Sequence, residues 1–143
     1  MSNTTKSPKG LEDIPVNVKL KLATLWASFT FLYIYIDYFA LYMPGKLDGI
    51  LNGIVFKFEI TPGFLMTALA SVSIPALMIF LSVTLPARLN RLINIILASV
   101  YVPYSLFNLV GEAWIHMVFG AAVEVILLCL IIRYAWKWPR IES

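Results

Sequence analysis

The run AWIHMVFGAAVEVILLCLIIRYAW, residues 113–136, holds one acidic residue, Glu124, and one basic residue, Arg133, near its end. A helix needs about 20 mainly apolar residues to cross the hydrocarbon core of a bilayer. This run is therefore predicted to span a membrane. Three further runs of the same character occupy residues 20–43, 64–85 and 92–110.

The composition of the whole chain agrees with four membrane spans. Hydrophobic residues make up 60% of the 143 residues, charged residues make up 13%, and the mean hydropathy is +0.83. A soluble domain of this length could not bury so much apolar surface. The sequence thus predicts an all-α membrane protein, built as a bundle of four transmembrane helices.

The basic residues predict how the bundle is oriented. Nine of the eleven lysines and arginines lie before the first span, between the second and third spans, or at the end of the fourth. Basic residues near span ends favour the cytoplasmic side, so both termini are expected in the cytoplasm. The net charge of +3 does not indicate nucleic-acid binding, because these charges flank membrane spans.

The chain divides into a short tail and one domain. Residues 1–15 are polar and interrupted by proline and glycine, which predicts a flexible cytoplasmic tail. Residues 16–143 are expected to form a single transmembrane domain. The first apolar run exceeds the core of a signal peptide, about 7–15 residues, and lacks a cleavage site, so we expect it to be retained.

The connection between the first two spans is predicted to be more than a plain loop. Apolar residues recur at helical spacing over residues 47–58, which favours a short amphipathic segment in the outer interface. Thr61 and Pro62 predict an N-cap followed by proline at the first helical position. Pro75 and Pro103 lie inside spans, where other groups must satisfy the carbonyls that proline leaves free.

Each predicted span has one side that is poorly suited to lipid. These sides contain hydroxyls, amides, carboxyls or small residues at helical spacing. They are Trp26, Thr30, Tyr33, Asp37 and Ala40; Thr67, Ser71, Pro75, Met78 and Ser82; Asn94, Ala98, Tyr101, Ser105 and Asn108; and His116, Gly120 and Glu124. Four such sides that face one another predict a bundle with a polar interior, concentrated towards the outer leaflet.

The candidate binding residues come from these sides, because ionisable groups at membrane depth are costly. They are Asp37, Glu124, His116, Tyr33, Tyr101 and Asn108. Two interpretations stay open. The polar groups hold the helices together by bonding to one another, or they line an outward-opening pocket in which a carboxyl exchanges a proton and His116 relays it.

No residue pattern predicts a catalytic, metal or cofactor site. His116 and Glu124 lie two helical turns apart, about 12 Å along the axis, so one zinc ion cannot reach both. Cys129 is the only cysteine, which excludes an intrachain disulfide and two-cysteine redox chemistry. Arg88, Arg91, Asn90 and Asn94 either anchor and bridge helices at the inner face or bind a lipid phosphate or regulatory anion there.

Several short motifs resemble a family of small four-span bacterial membrane proteins of unknown function. These motifs are YID at 35–37, ITPGFL at 60–65, RLNRLIN at 88–94, Glu124 in the last span, and WKW at 136–138. The resemblance implies a four-helix membrane bundle in a bacterial cytoplasmic (inner) membrane, and it implies no reaction. A more distant similarity is to the DoxX-like four-span proteins.

The leading functional prediction is non-enzymatic. The protein binds or passes a small molecule, lipid or proton at the polar interior, or it serves as an accessory subunit of a membrane complex. The alternative is a small membrane-embedded enzyme that acts on a lipid-like substrate, with Asp37 or Glu124 as the acid/base and His116 assisting. Membrane lipids are the expected partners. A homo-oligomer or a larger membrane complex stays open, and transport would require an oligomer because four helices enclose little volume.

Overall fold

Four long helices dominate the computed structural model, which describes residues 10–111 and 113–140. In chain order the elements are α1 (Val18–Ala40), α2 (Lys46–Leu51), β1 (Ile54–Val55), β2 (Phe58–Glu59), α3 (Pro62–Thr84), α4 (Ala87–Phe107) and α5 (Ile115–Trp136). Within the described residues, α1, α3, α4 and α5 are each long and apolar enough to cross a membrane. The predicted four-helix membrane bundle is confirmed.

The four long helices pack as neighbours around one core. Helix α1 packs against α3 and α5, α4 packs against α5, and α3 touches α4. Since consecutive spans run in opposite directions, the α3–α4 turn lies at the same end as the start of α1 and the end of α5. We call this the terminal end. The opposite end carries α2, the β1–β2 hairpin and the α4–α5 turn, and we call it the loop end.

Local sequence signals set where the helices begin. The Asn17 side chain accepts a hydrogen bond from the Lys19 amide at 2.8 Å and so caps α1. The Thr61 hydroxyl oxygen accepts from the Phe64 amide at 3.1 Å, and Pro62 opens α3. The predicted cap and first helical proline at this point are confirmed.

The observed element bounds differ from the predicted ones at several points. Helix α1 ends at Ala40 rather than at residue 43, and α4 begins at Ala87, directly after Pro86, rather than at residue 92. The short segment between the first two spans is present, but it is helical only to Leu51. Gly53 then adopts a φ of 77°, and the chain turns into an antiparallel hairpin instead of continuing the helix.

The predicted flexible tail lies partly outside the described residues. Residues 1–9 of the predicted tail lie outside the described residues. Residues 10–17 are exposed and have no helix or strand.

The core consists mainly of the sides that the sequence marks as unsuited to lipid. Trp26, Phe29, Ala98 and Leu128 are fully buried, and Met78 is almost fully buried. Trp26, Phe29, Tyr33, Tyr101 and Tyr104 form a chain of ring contacts with centroids 5.5–6.2 Å apart. Such aromatic pairs contribute beyond the area they bury.

A fully buried amide network joins three helices near the terminal end. The Trp26 indole N–H donates to Asn94 Oδ1 at 2.7 Å, and the Ser82 hydroxyl lies 3.5 Å from the same oxygen. Asn94 Nδ2 donates to the Asn90 carbonyl and to Asn90 Oδ1 at 2.8 and 2.7 Å. The expectation that these asparagines bridge helices is confirmed. The network lies near the terminal end of the bundle, whereas the sequence predicted a polar interior concentrated towards the outer leaflet.

Asn90 also satisfies a carbonyl that proline leaves free. In a continuing helix the Ser82 carbonyl would accept from the amide of residue 86, but Pro86 has no N–H. Asn90 Nδ2 donates to that carbonyl at 2.6 Å. The ammonium of Lys19 donates to the nearby Leu85 carbonyl at 2.7 Å, so the end of α3 is capped from α1.

Pro75 creates the same need in the middle of α3. It removes the amide that would have bonded the Ser71 carbonyl, and the Tyr101 hydroxyl on α4 donates to that carbonyl instead. A neighbouring helix therefore satisfies the group that the proline frees, as expected for a span in lipid.

This arrangement predicts a dependence between Tyr101 and Pro75. We expect Tyr101→Phe to lower the free energy of unfolding by about 1 kcal/mol, because the Ser71 carbonyl loses the donor that replaces the missing amide. In a Pro75→Ala background the restored amide can bond that carbonyl, so Tyr101→Phe should cost much less. Circular dichroism measures unfolding in mixed detergent micelles as the fraction of dodecyl sulfate increases. The four proteins compared are wild type, Tyr101→Phe, Pro75→Ala and the double variant.

The matched control is Tyr35→Phe, because the Tyr35 ring is exposed on α1. This variant should leave the midpoint of the unfolding titration unchanged. An equal cost of Tyr101→Phe with proline or alanine at position 75 would show that the hydroxyl does not replace the missing amide.

Candidate functional site

A small recess lies between α1, α4 and α5 in the half of the bundle nearer the loop end. Its cavity volume is about 10 Å³, which is enough for roughly one water molecule. The walls combine carboxyl, hydroxyl and amide groups with apolar side chains. They are formed by Tyr33, Ile36, Asp37, Ser105, Asn108, Leu109, Met117, Ala121 and Glu124.

Glu124 is the most deeply buried acidic group of the recess. It lies near the middle of α5, and its side chain is only 2% exposed. Among the described residues, no basic side chain pairs with its carboxyl. The Asp37 carboxyl lines the same recess. Burying an unpaired carboxylate in this way is costly, which favours the neutral form of Glu124.

Ser105 is a polar residue of the recess that is not among the six binding residues predicted from the sequence. Its side chain is fully buried on α4, beside the Glu124 carboxyl. The two groups do not reach hydrogen-bonding geometry, and the Ser105 hydroxyl bonds to no other described residue. The signal was its place on the polar side of the third span, between Tyr101 and Asn108. An unsatisfied buried hydroxyl on a water-sized cavity is suited to bind a water or a small polar ligand.

Asp37 and Asn108 form the rim of the recess. Asp37 lies in the last turn of α1, Asn108 is the C-cap of α4, and both side chains are exposed. The recess thus contains one buried carboxyl and one exposed carboxyl. The exposed one lies towards the loop end of the bundle.

Tyr33 connects the recess to a chain of hydroxyl groups. Its hydroxyl shares a hydrogen bond of 3.1 Å with the Tyr104 hydroxyl, which lies 3.1 Å from Ser71 Oγ. The Ser71 hydroxyl donates to the Ala68 carbonyl at 2.7 Å. This chain leads from the recess sideways to α3, not towards the terminal end.

The structure brings four of the six candidate residues together and places two outside the recess. Tyr33, Asp37, Asn108 and Glu124 line it. Tyr101 packs between Trp26 and Phe29, and its hydroxyl is bonded to α3. His116 is half-buried in the first turn of α5 beside the Trp114 ring, and no described residue bonds its Nε2 atom.

An apolar layer closes the recess on its inner side. One turn deeper than Tyr33 and Glu124, the interior is filled by Phe29 and Leu128, both fully buried. The hydroxyls at this level are already hydrogen-bonded. The Thr30 hydroxyl donates to the Trp26 carbonyl at 2.8 Å, and the Tyr101 hydroxyl donates to the Ser71 carbonyl. The recess and the asparagine network are therefore two separate polar levels.

Gly120 allows the close packing of α1 on α5 that forms the recess. A Cβ atom at this position would lie 2.7 Å from Cγ1 of Ile36 and nearer still to its Cδ1. Ile36 precedes Asp37 and itself lines the recess. Without a side chain at position 120, α1 can bring Asp37 towards Glu124 on the next turn of α5.

Residues that could hold a metal are sparse. In the described ranges, 10–111 and 113–140, no group of three or more His, Cys, Asp or Glu side chains is placed to bind a metal ion. Cys129 is exposed on α5 and does not line the recess.

The comparisons with known proteins place the chain in a family. It belongs to DUF6326, a family of unknown function whose model matches residues 13–143. Searches of curated proteins and of solved structures gave no match. The chain is thus a multi-pass membrane protein of a family without an assigned function.

The close contact at Gly120 predicts a strong effect of a single methyl group. We expect Gly120→Ala to lower the free energy of unfolding by about 1–3 kcal/mol, because the methyl overlaps Ile36 and forces α1 and α5 apart. The same unfolding titration measures the change.

Gly63→Ala is the matched control, because its methyl would approach only Thr61 Oγ1, at 3.9 Å. That variant should be neutral or slightly stabilising. A Gly120→Ala protein as stable as Gly63→Ala would show that α1 and α5 do not depend on this contact.

Proposed function

We propose that the protein binds protons reversibly at Glu124, in a recess that exchanges with the loop-end side of the membrane. The observation that carries this proposal is a carboxyl only 2% exposed, with no basic partner among the described residues, next to a water-sized cavity. An ionised carboxylate there would lack the charge compensation that buried ions require.

Asp37 supplies the route between Glu124 and water in this proposal. It lines the same recess and is exposed at the end of α1. A single water in the recess, held by Ser105, would pass a proton between the two carboxyls. On the basis of the flanking basic residues, we further propose that the protein lies in the cytoplasmic membrane with both termini in the cytoplasm, so the recess faces outward.

The size of the recess favours a proton over larger ligands. Small-molecule sites usually have volumes of about 300–1,000 Å³, whereas this cavity has about 10 Å³. The same limit weighs against an enzyme that acts on a lipid-like substrate at these carboxyls. The apolar layer at Phe29 and Leu128 favours binding over passage, and binding at one recess requires no oligomer.

Infrared spectroscopy of the protein in nanodiscs tests the proposal. Wild type should show a protonated carboxyl band at neutral pH, and Glu124→Gln should remove it. Asp37→Asn should keep the band and slow its shift when the buffer is changed from H₂O to D₂O. Absence of the band in wild type, or its persistence in Glu124→Gln, would rule out Glu124 as the proton site.

Glu59→Gln is the matched control, because Glu59 is an exposed carboxyl in β2 at the loop end. It should leave both the band and its exchange rate unchanged. Unfolding titrations of the same variants show whether any loss of the band follows from loss of the fold.

Proteoliposomes containing a trapped pH dye distinguish binding from passage. We expect the rate of pH equilibration to equal that of empty liposomes, because the buried apolar layer offers no polar route to the terminal end. A faster rate that Glu124→Gln abolishes would show conduction and would contradict the binding mechanism.

A further inference from the structure

A second and much larger cavity lies at the loop end, on the outside of the bundle. It is an open groove with a volume of about 610 Å³. Its walls come from the last turn of α1, the turn that follows, and α2. They are formed by Tyr38, Leu41, Tyr42, Met43, Pro44, Gly45, Leu47 and Asp48.

Two tyrosine rings form an aromatic corner in this groove. The Tyr38 and Tyr42 hydroxyls share a hydrogen bond of 2.7 Å, and the rings meet at 71° with centroids 5.4 Å apart. Tyr38 is 46% exposed and Tyr42 is 69% exposed. The hydrogen bond fixes the relative position of the rings while their surfaces stay accessible. Aromatic faces held in this way attract cations.

Asp48 gives the groove its charge. It lies in the first turn of α2, is exposed, and is the one charged residue among those that line the groove. The turn through Pro44 and Gly45, where Gly45 has a φ of 81°, brings α2 back beside the end of α1. A carboxylate is thereby held at the same groove as two tyrosine faces, a combination suited to an organic ammonium group.

The apolar side of the groove continues along α1 into the membrane. Phe31 lies two turns and Ile34 one turn before Tyr38, on the same side of the helix, and they are 64% and 48% exposed. The Met43 side chain, by contrast, is buried where α1 gives way to the turn. The groove thus joins a polar, aromatic mouth at the end of a span to an apolar surface within it.

We propose that this groove binds the ammonium headgroup of a phospholipid, ethanolamine or choline, between Tyr38, Tyr42 and Asp48. The acyl chain lies along Phe31 and Ile34. The exposed apolar track identifies a lipid rather than a free amine, because a free amine would gain nothing from it. The groove uses no residue of the Glu124 recess, and the proposal is independent of proton binding there.

Native mass spectrometry of protein released from mixed nanodiscs tests the proposal. Nanodiscs would contain equal amounts of phosphatidylethanolamine and phosphatidylglycerol with the same acyl chains. Wild type should retain phosphatidylethanolamine in about two- to fivefold excess, as one cation–π contact and one charge pair allow. Asp48→Asn and Tyr42→Leu should each reduce that excess towards equality.

Two matched variants keep the test specific. Glu59→Gln removes an exposed carboxyl at the same end of the bundle, and Tyr35→Leu removes an exposed ring of α1 outside the groove. Both should keep the wild-type ratio. Equal retention of the two lipids by wild type would overturn the proposal, as would the same loss in the control variants.

A competition experiment separates a lipid from a free amine. Excess ethanolamine or choline in the buffer should leave the retained lipid ratio unchanged, because neither has an acyl chain. Complete displacement by the free amine would contradict a lipid site. Phe31→Ser should weaken retention of phosphatidylethanolamine without changing the fold, because residue 31 is exposed, and full retention by that variant would also contradict it.

Discussion

The interior of this bundle depends on one constraint: a polar group inside a membrane must find its partner within the protein, because no bulk water is available to supply one. At the terminal end the chain meets this constraint with side-chain amides. Asn90 bonds the Ser82 carbonyl that Pro86 leaves without an amide donor, and Asn94 binds both Asn90 and the indole of Trp26. Three helices are fixed to one another by these bonds.

The two polar levels of the core differ in whether their groups are satisfied. In the asparagine network each amide has donors and acceptors in place, which is how polar residues stabilise helix packing in lipid. In the recess, the Ser105 hydroxyl has no partner among the described residues, and Glu124 has no counter-charge there. The first level joins α1, α3 and α4 through satisfied bonds, and the second leaves polar groups without a partner in the described chain.

Much of this architecture follows from periodicity, and the exceptions have physical causes. Spacing identified the buried sides of the helices, including Trp26, Asn94 and Glu124, because lipid excludes polar groups from the outer faces. Spacing placed Ser105 on the polar side of the third span but did not distinguish a site residue from a packing residue, since serine is common in packed helix contacts. Nor could it show that His116 lies outside the recess, because helix rotation and depth depend on tertiary contacts such as Gly120 on Ile36. The helical spacing over residues 47–58 does not continue as a helix beyond Leu51, because Gly53 adopts a left-handed conformation that starts a hairpin.

The cost of Glu124 is the strongest reason to assign it a function. A leucine or alanine at this position would pack among Ala121 and Leu128 without desolvating a carboxyl, and no ion pair in the described chain offsets that desolvation. The side-chain bonds at Asn94 and at Tyr101 join α1, α3 and α4, and neither involves α5, the helix that carries Glu124. A buried carboxyl without a counter-charge is what the proposed reversible binding of a proton requires. The recess has room for about one water molecule, which is compatible with that proposal and too small for a lipid-like substrate.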